Sequence, residues 1–131
     1  MSEEVLTIPM YISPLNALQP YIDDHGEVIY ELVGLPAEHG GALQHSLARI
    51  ILPPGKASRM HFHRRSEESF YILRGNARME VDQQELILSP GQVCLIQPGE
   101  KHRIFNDTNQ ELEYLAVCTP AWEPGDSYYT P

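Results

Sequence analysis

The chain has 131 residues, a length that suits one domain with a sizeable core and short extensions rather than two domains. Its formal net charge of -9 at pH 7 argues against a general nucleic-acid or anionic-membrane binder, because both need a basic face that offsets phosphate. All nine Lys and Arg residues lie between Arg49 and Arg103, so the middle of the chain is the part that could attract an anionic small molecule.

The cysteines and the first residues bear on the cellular compartment. Cys94 and Cys118 lie inside apolar runs without ligand-type spacing, which indicates buried thiols rather than a disulfide framework. The opening MSEEVL carries acids where a secretory signal needs positive charge, and no apolar run approaches membrane-spanning length. We therefore expect a soluble cytoplasmic protein with neither a membrane partner nor a nucleic-acid partner.

Proline and glycine divide the chain into short segments. We interpret the first part as an arm with an accessory strand at 28–33, because its turn residues include Pro9, Pro14, Pro20 and the Gly40-Gly41 pair. Pro-Gly turn signals then separate short apolar segments that predict strands at 43–52, 58–63, 68–74, 77–82, 85–88, 92–97, 102–106 and 112–118. The final segment is too rich in proline for a central strand, and we expect it to lie across a surface with Trp122 as its anchor.

The number and spacing of these segments indicate the fold class. Many short strands with frequent tight turns, and no convincing helical period, predict an all-β barrel or sandwich. We divide the chain into an N-terminal arm at 1–42, a barrel at 43–119 and a C-terminal tail at 120–131.

The pattern His-Phe-His is the first candidate for a metal site. Residues two apart on a strand point to the same face, so His61 and His63 project side by side while Phe62 points the other way. The two imidazoles reach one ion only if that face is the barrel interior. Two polar side chains on an ordinary solvent-exposed strand are the alternative, and the pair alone does not decide between them.

Two further observations favour the metal site. Glu67 and Glu68 precede the apolar run FYIL, so one carboxylate is carried toward the interior where that strand begins. Another histidine, His102, follows a Pro-Gly turn that directs it back to the same interior. Three imidazoles and one carboxylate suit a divalent transition metal, with Zn, Fe, Mn, Ni and Cu as the alternatives.

These stretches resemble the two motifs of the cupin superfamily of small double-stranded β-helix barrels. The first motif is glycine, five residues, His-x-His, three or four residues, glutamate, six residues and glycine, and it is matched from Gly55 to Gly75. The second is glycine, five residues, Pro-x-Gly, two residues, histidine, three residues and asparagine, and it is matched from Gly91 to Asn106. Gln97 stands where the family usually has the first proline.

The resemblance implies a fold and a ligand set. The expected fold is a double-stranded β-helix, or jelly-roll, barrel. Strand parity counted from His63 favours Glu67, whereas the family spacing to the final glycine selects Glu68. The resemblance therefore implies His61, His63, Glu68 and His102 as metal ligands. Asn106 is expected to tie its strand end to a neighbouring turn by hydrogen bonds.

Residues that share a strand face with the expected metal ligands give a predicted substrate pocket. Phe70 and Ile72 share the face of Glu68, and Ile104 shares the parity of His102. The family's strand before the first motif lines the barrel, where a small Ser46 and the hydrogen-bonding Gln44 suit a cavity. The predicted pocket thus consists of Gln44, Ser46, Phe70, Ile72 and Ile104, and no catalytic residue is assigned.

The resemblance leaves several functions open, since fold and metal do not fix activity. We expect a metal-dependent enzyme that acts on a small oxygenated substrate, resembling either a sugar-phosphate isomerase or a dioxygenase. The alternative is a non-catalytic protein that binds or senses a small molecule and has a structural metal. Small cupins often form homodimers by exchanging N-terminal strands, and the apolar segment 28–33 suits that role.

Overall fold

The computed structural model describes residues 10–14 and 19–131 of the chain. The elements are almost all strands: β1 Tyr21–Ile22, β2 Val28–Val33, β3 Ser46–Leu52, β4 His61–Phe62, β5 Glu67–Arg74, β6 Ala77–Val81, β7 Gln84–Leu88, β8 Val93–Ile96, β9 His102–Phe105, β10 Leu112–Thr119 and β11 Tyr128–Tyr129. Two short 3-10 helices are Ala37–His39 and Pro124–Asp126. In the described part of the chain, no helix has the length and apolar character needed to cross a membrane.

The strands form two antiparallel sheets. The order is β1-β2-β3-β10-β5-β8 in the six-stranded sheet and β11-β4-β9-β6-β7 in the five-stranded sheet. Neighbours such as β3 and β10, or β5 and β10, come from distant parts of the chain. This arrangement confirms the predicted all-β fold, and it fits a jelly-roll barrel.

The predicted strands agree with these elements to within a few residues, with one exception that matters for the site. The strand predicted at 43–52 begins only at Ser46, so its first three residues were assigned wrongly. The pairing of β3 with β10 ends at Ser46, the first residue of β3, which lies opposite Cys118. Beyond that pair Pro120 has no N–H to continue a ladder, and the carbonyl of Leu43 accepts from Ala121 instead.

The core lies between the two sheets. Buried and partly exposed residues alternate along the whole of β10, as they must when one face of a strand is inside and the other outside. The buried apolar side chains form one cluster that includes Ile50, Leu52, Phe70, Ile72, Ala77, Met79, Leu88, Ile96, Ile104, Leu112, Tyr114 and Ala116. Both sheets contribute to this cluster, so it holds them together.

Asn106 closes one end of the barrel. Its side chain is 1% exposed, and its Nδ2 donates to the carbonyls of Leu52 at 2.8 Å and Gln110 at 2.7 Å. Its Oδ1 accepts from the backbone N–H and the hydroxyl of Thr108 at 3.0 and 2.8 Å. Asn106 thus ties the end of β3 to the turn before β10, which is the structural role that the resemblance implied.

The arm and the tail both add strands to the sheets. Strand β2 of the arm pairs with β3 of the same chain, and β1 pairs with β2. In the tail, β11 pairs with β4 at the edge of the five-stranded sheet. Trp122 is partly buried, and its Nε1 donates to Ser127 at 2.9 Å. The division into arm, barrel and tail stays a prediction.

Candidate metal centre

The three histidines and the glutamate named by the sequence converge inside the barrel. His61 and His102 face each other across β4 and β9, His63 follows β4, and Glu68 lies at the start of β5. One ligand-type atom from each of the four lies within 4.8 Å of the other three. His63, Glu68 and His102 are buried, and His61 is partly buried. Residues from three strands therefore meet at one point.

The structure places Glu68 inside and Glu67 outside. Glu67 is exposed, and its carboxylate contacts the Thr119 hydroxyl on the outer face. The reason lies in the turn before β5, where the backbone N–H groups of residues 64–66 all donate to the carboxylate of Asp126. This turn interrupts the strand alternation, so parity counted from His63 does not carry through to β5.

Hydrogen bonds fix the orientation of all three imidazole rings. The Nδ1 atoms lie 2.8 to 3.0 Å from backbone carbonyl oxygens, of Arg59 for His61, of Asp126 for His63 and of Glu100 for His102. A carbonyl oxygen only accepts, so each Nδ1 carries a hydrogen. In a neutral ring the Nε2 atom then presents a lone pair. Three such lone pairs are the donor set that a divalent transition metal requires.

The atoms that face each other at the centre lack a proton to share. Nε2 of His63 and Nε2 of His102 lie 3.3 and 3.2 Å from Glu68 Oε1. None of the three has a hydrogen-bond partner among the residues that the structure describes. Buried polar atoms are normally paired, because leaving one unpaired costs about 1–3 kcal/mol. A cation at this point would satisfy all three, so the residues present fit a metal ion.

The protonation states also favour a cation. Burial opposes ionisation of Glu68, but the imidazoles of His102 and His63 overcome it and hold its pKa well below the ordinary value. Burial lowers the pKa of His61 to about 4, so this ring is neutral at neutral pH. Burial also acts to lower the pKa of His63, but the Glu68 carboxylate raises it.

The predicted pocket residues lie at different depths. The Phe70 ring is buried beside the His102 ring, with 6.0 Å between their centroids. Ile72 and Ile104 are part of the hydrophobic core. Ser46 is buried, and its Oγ accepts from the Trp122 backbone N–H at 2.9 Å. Gln44 is exposed in the bend before β3, so the strand on which its prediction rested is absent there.

Two residues at the site were missed by the sequence analysis. The Cys118 S–H donates to Glu68 Oε2 at 3.1 Å, and Asp126 holds the turn described above. The alternation along β10 contains a signal for Cys118, because it puts this residue in phase with the buried Tyr114 and Ala116. Asp126 lies about 60 residues from the turn that it binds, and nothing local in the sequence marks it.

Glu27 is a further acidic group that the sequence analysis did not single out. It is in phase with Ile29, which packs against the core from β2. Burial, assisted by the nearby Asp23 carboxylate, raises the pKa of Glu27 to about 8. The pKa of Glu27 therefore shifts in the opposite direction to that of Glu68.

Comparison with known proteins gives one family and several relatives. Residues 48–118 match the family model described as the Cupin domain. The chain is 32% identical over 123 residues to an uncharacterised protein of Methanocaldococcus jannaschii, covering 94% of this chain and 97% of that protein. It is 39% identical over 70 residues to an oxalate-binding protein of Thermotoga maritima, covering 53% of this chain and 58% of that protein.

Solved structures agree in fold. A protein of Thermotoga maritima described as a predicted oxalate decarboxylase superimposes with a TM-score of 0.74 at 27% identity, covering 84% of this chain and 99% of that chain. A Streptomyces nucleoside dehydratase superimposes with a TM-score of 0.76 at 14% identity, covering 93% and 92%. At that identity the dehydratase is evidence for the fold alone.

Proposed function

The chain belongs to the cupin domain family, and from this premise we propose that it binds one divalent transition-metal ion and acts as an enzyme on a small oxygenated substrate. The proposed ligands are His61, His63, Glu68 and His102. The observation that carries the proposal is the convergence of three fixed imidazole Nε2 atoms on an ionised, buried carboxylate oxygen. Three imidazoles and one oxygen leave positions for substrate on an ion that takes five or six ligands.

The charge of the metal-bound site would favour a small chelating anion. A divalent ion with one carboxylate ligand keeps a net positive charge, and it would polarise a substrate oxygen. The protein contributes three hydrogen bonds that hold the rings in place and the Phe70 ring that excludes water beside His102. A curated relative and a solved structure, both from Thermotoga maritima, bear names that refer to oxalate, which supports a small dicarboxylate as the substrate class.

The sugar-phosphate isomerase and the dioxygenase remain candidate activities from the sequence. A phosphosugar needs a cationic side chain near the mouth of the pocket. Arg49 is paired with Glu113, and Arg103 donates to the Ser58 carbonyl. Arg59 lies over the Tyr129 ring, which is 5.9 Å from the His61 ring, so Arg59 is the better placed candidate for a phosphate contact.

A non-catalytic binding protein is the second candidate function. The relative named as an oxalate-binding protein favours it, since that name refers to binding and not to a reaction. The two candidates differ in what happens to a bound small acid over time. A protein that binds oxalate stoichiometrically and returns it unchanged after long incubation with dioxygen and with each metal would be a binder.

We also propose a cytoplasmic homodimer. Tyr71 and Val93 pair directly on the outer face of β5 and β8, and both are exposed together with Leu73 and Leu95. These exposed apolar side chains form a surface on which two copies can pack together. Light scattering should show a dimer that Val93→Lys converts to a monomer; a monomeric wild type at micromolar concentration contradicts it.

The test of the proposed function begins with elemental analysis of protein purified without added metal. About one transition-metal ion per chain is expected, since the four ligands are preorganised. The loaded protein is then incubated with oxalate and other small oxygenated acids while substrate loss is followed. Loss of substrate supports the enzyme, whereas failure to retain Zn, Fe, Mn, Ni or Cu under any loading condition contradicts the metal site itself.

A further inference from the structure

Cys118 contacts the second oxygen of the proposed carboxylate ligand. Cys118 and Glu68 are directly opposite on β10 and β5, and both are buried. The S–H group donates to Oε2 at 3.1 Å, while Oε1 faces the imidazoles of His63 and His102. The two oxygens of one carboxylate therefore have separate partners, a thiol on one side and the proposed ion on the other.

The thiol itself is held from the opposite side. Ser46 is the partner of Cys118 across β3 and β10, and its hydroxyl lies against the sulfur. The Trp122 backbone N–H donates to Ser46 Oγ at 2.9 Å. Ser46 Oγ is fixed by the hydrogen bond from Trp122, and Glu68 Oε2 accepts from the S–H group on the other side of the sulfur.

We propose that Cys118 is a positioning residue that keeps Glu68 bound to the metal ion through Oε1 alone. A carboxylate can bind an ion with one or both oxygens. To use both, Glu68 must turn Oε2 from Cys118 toward the ion, which weakens the hydrogen bond that the buried thiol donates to this oxygen. The one-oxygen form is therefore the more stable one in this barrel.

The consequence is an extra open position for substrate. Three imidazoles and one oxygen are four ligands, which leave two positions on a six-coordinate ion. A second oxygen from Glu68 would occupy one of them and leave a single position. A small dicarboxylate that chelates with two oxygens needs both. Cys118 would thus determine whether the site takes a chelating acid, an inference that rests on the proposed function.

The other cysteine provides a matched control. Cys94 lies on β8 opposite Phe70 and is only partly buried. Its replacement removes a thiol of the same size from the same sheet without touching Glu68. Cys118→Ser keeps a hydrogen-bond donor beside Oε2, and Cys118→Ala removes it. The three variants separate the hydrogen bond from the general effect of losing a buried thiol.

The experiment compares Co²⁺-loaded forms of wild type, Cys118→Ser, Cys118→Ala and Cys94→Ala. Ligand-field bands of Co²⁺ depend on the number, identity and geometry of the ligands. We expect matching spectra for wild type, Cys118→Ser and Cys94→Ala, and a changed spectrum for Cys118→Ala, in which a second carboxylate oxygen takes an open position. Oxalate affinity should fall about 10-fold in Cys118→Ala while Co²⁺ affinity stays the same or increases.

The outcomes separate this inference from the proposed function. Wild type that fails to bind Co²⁺ overturns the metal site and the role of Cys118 with it. If Co²⁺ binds but Cys118→Ala keeps the wild-type spectrum and oxalate affinity, the metal site stands and the positioning role is wrong. An intense sulfur-to-cobalt charge-transfer band in wild type would show direct binding by the thiol, which also overturns it.

A measurement on unaltered Cys118 covers the case in which Cys118→Ala does not fold. The infrared S–H stretching band shifts to lower frequency when the thiol donates to a carboxylate, and Cys94→Ala assigns the band to Cys118. We expect the shifted band in both the metal-free and the Zn²⁺-loaded protein. A band at the position of a free thiol after Zn²⁺ loading would show that Glu68 has released Cys118 and would refute the proposal.

Discussion

Asn106 and Glu68 are buried polar residues that lie near opposite ends of β3, and they differ in how completely they are hydrogen-bonded. Asn106, near Leu52, is 1% exposed, and both donors and the acceptor of its amide are used. Glu68 is joined to Ser46 through Cys118, and its Oε1 has no donor in the part of the chain that the structure describes. The Nε2 atoms of His63 and His102 around it are in the same state.

The comparison distinguishes a structural group from a functional one. A complete network in a low-dielectric interior stabilises a fold, whereas an incomplete one costs free energy until something binds. Asn106 should therefore contribute to stability under all conditions. The cluster around Glu68 should contribute only when a cation is present, because binding to the folded state alone adds to the free energy of unfolding. The variants below test this difference.

The largest effect is expected from removing one of the imidazoles. His102→Ala should lower the affinity for Zn²⁺ by more than about 100-fold, since a ligand is lost from a four-ligand set. The unfolding temperature of the variant should no longer increase when Zn²⁺ is added. Calorimetric titration and thermal unfolding measure the two quantities. His45→Ala, which removes an exposed imidazole, is the control and should leave both unchanged.

Removing the Asn106 amide should lower the free energy of unfolding by the same amount with and without metal. Asn106→Ala leaves the carbonyls of Leu52 and Gln110 without their donor, so we expect a loss of about 2–4 kcal/mol in the free energy of unfolding. Urea unfolding should give the same loss with chelator and with Zn²⁺. A loss that appears only with Zn²⁺ would show that the two ends are not separate in function.

A smaller effect is expected where the tail supports the site. Asp126 accepts from three backbone N–H groups through its carboxylate, and its carbonyl accepts from His63 Nδ1. Asp126→Asn replaces an acceptor by a donor that opposes Ser66, so the turn should shift and Zn²⁺ affinity should fall about 10-fold. Glu123→Gln, which alters an exposed ion pair with Arg65, should change the affinity by less than about 2-fold. Equal effects of both substitutions would remove the special role of Asp126.

The last effect concerns pH rather than metal binding, and it comes from another interior carboxyl group, Glu27. Its pKa is raised from 4.5 to about 8, so the folded state keeps a proton that the unfolded state has released. Wild type should therefore lose stability as pH increases between these two values. Glu27→Gln removes this loss, and its stability relative to wild type should increase by roughly 1 kcal/mol for each pH unit across that interval. Urea unfolding at several pH values measures it; a relative stability that stays constant or decreases with pH contradicts the pKa shift.

Local signals in the sequence predicted most of the fold. Pro-Gly pairs and apolar alternation located the strands, because turn geometry and side-chain facing are properties of neighbouring residues. The same signals failed at residues 43–45, where the tail takes the backbone hydrogen bond of Leu43. That contact depends on a segment almost 80 residues away, which no local pattern contains.

The candidate site was predicted in part and for a similar reason. The spacing of His61, His63 and His102 marked the imidazoles, but parity alone favoured Glu67 over Glu68. The choice depends on the turn that Asp126 holds from about 60 residues away. The contact between Cys118 and Glu68 likewise depends on the register of β10 against β5, which is set by the whole sheet. Residues that support the ligands through long-range contacts are therefore the ones that sequence analysis missed.

The most direct test of the metal site compares Glu68→Gln with Glu67→Gln in a Zn²⁺ titration of metal-free protein. The two substitutions remove one negative charge each from adjacent residues, one inside the barrel and one on its surface. We predict one ion per chain for wild type and Glu67→Gln, and a loss of more than about 100-fold in affinity for Glu68→Gln. Equal affinities for the two variants, or a larger loss for Glu67→Gln, would contradict the convergence of the four ligands on one ion.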